Sequence, residues 1–83
     1  MPKFLDIHPT MPDMPPEVMQ GIKAKVEAGQ RDEFGVKDLN MFVAQDVTYC
    51  YTEAADASAV HKTHEKMGLT LGAGDVKEVQ SLL

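Results

Sequence analysis

The sequence predicts an α+β domain in which one four-stranded antiparallel sheet carries two helices on a single face. Three observations lead there. The hydrophobic period switches from two to 3.6 and back, twice, which orders the elements strand–helix–strand, strand–helix–strand. The chain has 83 residues, room for one thin core that buries roughly 60% of the unfolded surface, so residues 1–83 form one domain. Its composition, 43% hydrophobic and 25% charged, is that of an ordinary globular domain rather than a disordered one.

The first strand covers residues 3–8, where Leu5 and Ile7 alternate with Phe4, Asp6 and His8. Four prolines (Pro9, Pro12, Pro15 and Pro16) follow and cannot donate to a ladder, so the strand stops near His8. A helix starts at Pro15 or Pro16 with Asp13 as candidate cap, since proline is tolerated in the first turn. Val18, Ile22 and Val26, with Met19 beside them, form its apolar stripe, and Gly29 or Gly35 ends it. The second strand spans 36–44 and the third 47–53, joined by Gln45-Asp46 as a hairpin link that is not the preferred Asn-Gly. Asp56 caps a second helix over 57–67, with Ala57, Val60, His64 and Met67 on its stripe and Gly68 at its end. A glycine-containing loop leads to a last strand over 75–82. Two right-handed crossovers in this order fold as a ferredoxin-like plait.

The charge balance narrows the partners. A net charge of −5 disfavours nucleic acid and anionic membranes, and no run approaches the ~18 apolar residues of a membrane span. The single cysteine, Cys50, allows no internal disulfide, and nothing at the N-terminus resembles a signal peptide, so the expected location is the cytoplasm.

With Leu5 and Ile7 assigned to the helix side, Phe4, Asp6 and His8 are expected on the open face. Asn40, Phe42, Tyr49, Tyr51 and Glu53 join them there, while Cys50 is expected to face the helices as a small buried residue. An uncovered aromatic face suits a homodimer joined through it.

Residues 49–69 resemble the small nickel-binding proteins first catalogued as a domain of unknown function. The resemblance rests on Tyr49, Cys50, Glu53 and Ala54 at a strand end, then Ala59, Val60, His64, Glu65 and Gly68 in a helix, with Phe4-Leu5-Asp6-Ile7-His8 similar to the first strand of that family. It implies a ferredoxin-like fold, a homodimer and nickel held by oxygen and nitrogen donors. Pro9 departs from it, standing where a second metal-competent residue is expected.

Chemistry supports the same set. Nickel(II) accepts imidazole and carboxylate, and Asp6 and His8, two apart on a strand, lie on one face. The candidate ligands are Asp6, His8, His64 and Glu53. His61 and His64 have the i, i+3 spacing that lets two imidazoles approach one ion, although a hydrogen-bonded core histidine is the plainer expectation for His64 and a solvated one for His61. If His64 packs on the face opposite His8, a shared site would need the sheet edge, a chain end or another subunit. A reactive Cys50 has no second cysteine and no orienting acid to support it. Nickel sensing, buffering or delivery is thus the leading function. The alternative is a dimeric α/β-barrel small-molecule binder or enzyme whose cavity is lined by Phe42, Tyr49, Tyr51 and His8, with His8 as acid or base. A third reading is an association module.

Overall fold

A computed structural model describes residues 1–10 and 15–82. Along the chain it places β1 (Lys3–Pro9), α1 (Pro16–Ala28), β2 (Lys37–Val43), β3 (Val47–Glu53), α2 (Ala57–Lys66) and β4 (Val76–Val79). The strands form one antiparallel sheet in the order β2-β3-β1-β4. This is the ferredoxin-like α+β plait that the alternating periods predict. β4 is shorter than expected, pairing with β1 only from Asp6 to Lys3. The cap expected at Asp13 lies outside the described residues. α1 opens with Pro15 at the cap position and no side-chain cap, and closes on Gly29, whose positive φ of 65° suits glycine. α2 is capped as expected, Asp56 accepting from the Ala59 amide at 2.9 Å.

The inward face of β1 is the reverse of the expectation. Phe4, Asp6 and His8 are buried, Leu5 is exposed and Ile7 half-buried. The cause is the β1–β3 register, which sets Phe4 opposite Thr52, Asp6 opposite Cys50 and His8 opposite Thr48. Partners across a ladder share a face, and a one-residue offset exchanges the two faces of a strand. Since Thr48, Cys50 and Thr52 are buried, Asp6 and His8 go inward with them. Leu5, Ile7, Tyr49 and Tyr51 are the residues turned outward. A bulge between Asp38 and Asn40 adds a second departure. It sets Asp38 opposite Thr52, on the helix side, while Met41 opposite Cys50 faces the helices as its alternation with Asn40 and Phe42 predicts.

The core is small: Phe4, Val36, Ala54, Ala59 and Val60, with Phe34, Ala57 and Val76 packed around it. Val36 is fixed from the preceding loop by Asp32, whose carboxylate accepts from the Phe34 and Val36 amides at 2.9 Å each and from the Thr63 hydroxyl of α2. The buried side of α2 is Ala59, Val60, Thr63 and His64, whereas Met67 of the expected stripe is exposed. No residue of α1 is buried. That helix rests on β2 across an apolar cleft of about 200 Å³ lined by Met19, Ile22, Val26, Met41 and Val43. The chain thus concentrates its tightest packing at α2 and the two central strands.

Candidate metal centre

Under α2, four donor-bearing side chains meet. Asp6 and His8 come from β1, Cys50 from the facing position of β3 and His64 from α2. One potential ligand atom from each lies within 4.8 Å of all the others. All four residues are buried, with relative exposures of 1% for Asp6, 2% for His64, 4% for Cys50 and 8% for His8. Burying so much polarity in a core this small is costly unless the groups satisfy one another or an ion.

The hydrogen bonds orient both imidazoles. His8 Nδ1 lies 2.9 Å from the Pro9 carbonyl oxygen, and His64 Nδ1 lies 2.9 Å from the Val60 carbonyl one helical turn back. A carbonyl only accepts, so each Nδ1 carries the proton and donates. Each Nε2 is thereby turned toward the cluster, the arrangement that outer hydrogen bonds give to metal-binding histidines. His8 Nε2 stands 3.6 Å from Cys50 Sγ, and His64 Nε2 stands 3.2 Å from Asp6 Oδ1. The rings of His8 and His64 meet edge-on with centroids 5.5 Å apart.

Three buried atoms of the cluster have no hydrogen-bond partner among the described residues: Asp6 Oδ1, Asp6 Oδ2 and His64 Nε2. The 3.2 Å approach of the last to Oδ1 lies outside hydrogen-bond alignment and is an ion pair only when the imidazole is protonated. The electrostatics respond to this crowding. Burial opposes charge on His64, but the Asp6 carboxylate beside it and the Val60 carbonyl outweigh burial and raise its pKa above the ordinary histidine value. Burial, reinforced by the negative charge of Asp6, pushes the Cys50 thiol far above the ordinary range. Without a cation the sulfur is held as a neutral thiol. A divalent ion would reverse that, since a coordinating thiol gives up its proton. The carboxylate oxygens, the Nε2 atoms and the sulfur together fit a divalent metal.

The sequence-derived candidates fall into two groups. Asp6, His8 and His64 converge in one subunit, and the obstacle foreseen for His8 and His64 disappears with the reversed face of β1. Glu53 is elsewhere, at the far end of β3, where it forms an ion pair with Arg31 and pairs across the ladder with Lys3. The bond from Arg31 holds its carboxyl below the usual range. His61 is half-buried and outside the cluster. Cys50 was not foreseen as a ligand. The signal for it is the ladder itself, which sets Cys50 directly opposite Asp6. His8, facing inward, is not available to a cavity between paired open faces.

A family model described as nickel responsive protein SCO4226-like matches residues 4–79. This chain belongs to the SCO4226-like family. The match covers β1 through β4 and so includes all four clustered residues. No curated protein and no solved structure matches the chain. Membership of the SCO4226-like family and a buried His, Cys and Asp cluster agree on a metal-binding role. No helix among the described residues is long and apolar enough to cross a membrane.

Proposed function

We propose that this chain binds nickel(II) at the Asp6, His8 and His64 cluster and serves in nickel sensing, buffering or delivery rather than catalysis. The supporting observation is the convergence of Asp6, His8 and His64 in the buried cluster, with three of its atoms, two on Asp6 and one on His64, making no hydrogen bond among the described residues, in a family described as nickel responsive. When bound, the ion supplies positive charge to a carboxylate and two imidazoles that the fold already directs toward each other. The chain's own contribution is placement. The Pro9 and Val60 carbonyls fix the rings, and α2 keeps bulk water from the donors.

A homodimer through the open sheet face is part of this reading. Leu5, Ile7, Phe42, Tyr49 and Tyr51 lie on that face, with Phe42 56% exposed, an apolar surface of the kind that marks contacts. An isologous two-fold pairing needs only one self-complementary patch. The cytoplasm suits a chain with one free cysteine, Cys50.

Two measurements test the reading. Equilibrium dialysis of metal-free protein against nickel(II) is expected to give one bound ion per chain, and no bound nickel would refute the function. Light scattering is expected to give a dimer for the parent and a monomer for Tyr51→Arg. A monomeric parent, or an unaffected variant, would remove the open face from the interface.

A further inference from the structure

We infer that the centre is a closed, four-coordinate site in which Cys50 Sγ is the fourth ligand, so that its ion is held by protein atoms alone, as thiolate, carboxylate and two imidazoles. This rests on the metal-binding reading above and goes beyond the oxygen and nitrogen donors expected of nickel in this family.

Distances point to four-coordination. Bonds of about 2.0 Å from nitrogen or oxygen and about 2.3 Å from sulfur set tetrahedral neighbours ~3.3 Å apart for a nitrogen–oxygen pair and ~3.5 Å for a nitrogen–sulfur pair. Two cross-residue pairs stand at 3.2 Å, His64 Nε2 with Asp6 Oδ1, and at 3.6 Å, His8 Nε2 with Cys50 Sγ. Right-angled octahedral neighbours with the same bonds would stand only ~2.8 Å and ~3.0 Å apart. The remaining donor pairs, all within 4.8 Å, need to draw in by at most about 1.5 Å to meet tetrahedral spacing. That is within the reach of side-chain adjustment.

Charge and burial agree. An ion removed from water must be neutralised locally. A divalent cation with one carboxylate and one thiolate is neutral, whereas Asp6 alone would leave a net positive charge in the core. Neither the cleft between α1 and β2 nor a second one lined by Phe34, Asp56 and Lys62 is bordered by any of the four residues, and closed sites with a full set of protein ligands are structural rather than catalytic. Such a donor set accepts zinc(II) and cobalt(II) readily, and takes nickel(II) without its usual water ligands.

The experiment loads metal-free protein with cobalt(II) alone and records its absorption. The expected spectrum has the strong visible bands of a tetrahedral ion and a near-ultraviolet thiolate-to-metal band, and Cys50→Ser abolishes the latter while weakening binding at least ~10-fold. X-ray absorption on zinc(II)-loaded parent protein needs no variant and is expected to show one sulfur at about 2.3 Å with three lighter neighbours at about 2.0 Å. Bound cobalt(II) with only weak octahedral-type bands, a near-ultraviolet band that persists in Cys50→Ser, or six light neighbours and no sulfur around zinc(II) would overturn the closed site and leave the metal-binding function standing. Dialysis showing no bound nickel(II), cobalt(II) or zinc(II) would overturn both.

Discussion

At the scale of single residues, His8 and His64 look alike chemically but carry different loads. His8 donates to the carbonyl of its own neighbour, Pro9, near the end of a strand. His64 links α2 to β1 through its contact with Asp6 while donating to Val60 in its own helix. His8→Ala is expected to lower nickel affinity at least ~10-fold with little change in the melting temperature of the metal-free protein. His64→Ala should lower both, because it also takes an interior contact and leaves a cavity beneath α2, costing on the order of 2 kcal/mol. Calorimetric titration beside thermal melts of the two variants separates these effects, and equal nickel affinity in parent and His8→Ala would exclude His8 from the site.

Among the elements, the loop between α1 and β2 is held together and tied to α2 by the hydrogen bonds of Asp32, whereas α1 buries none of its residues. Burial opposes the charge of Asp32, but the Thr63 hydroxyl, the Val36 and Phe34 amides and the nearby Lys25 together hold its carboxyl below the usual range. A group whose pKa is depressed by folding stabilises the fold above its unfolded value of about 3.9 and loses that contribution as pH falls through the folded value. Melting temperature is therefore expected to lose the Asp32 contribution in the acid range below about pH 4. Asp32→Asn should cost on the order of 1 kcal/mol at pH 7 and show a shallower acid decline. An unchanged acid profile in that variant would show that Asp32 does not carry it. The elements themselves were legible in the sequence, because prolines, Gly29, Asp56 and Gly68 punctuate clear period changes. The facing of β1 was not. Taking Leu5 and Ile7 inward follows the rule that apolar residues face the core, and the chain departs from it by burying Phe4 together with the polar Asp6 and His8. Such a break is expected where a site, rather than packing, decides the residue. Asp6 and His8 could be named from their spacing on a strand, and His64 from its place on a helix and the family resemblance. Cys50 required the register, which alternation does not supply.

In the whole molecule, the four donors are drawn from both ends of the fold. Asp6 and Cys50 are 44 residues apart in sequence yet face each other across the sheet, so the site exists only once the sheet has formed. A ligand that binds only the folded chain stabilises it by mass action, about 2.7 kcal/mol at a hundredfold excess over the dissociation constant. Saturating nickel should then raise the melting temperature by on the order of 10 °C for a domain this small, and Asp6→Ala should abolish the rise. A rise that survives in Asp6→Ala would place the ion elsewhere. A different consequence follows from α1, which buries none of its residues and bridges a cleft to β2. Its amides should open by local unfolding and exchange with deuterium long before those of β1, β3 and α2, whose exchange should slow further on loading with metal. The fold would then behave as two cooperative units, and only one of them would register the ion. Protection in α1 rising in step with the sheet would show instead that the domain opens as a single unit.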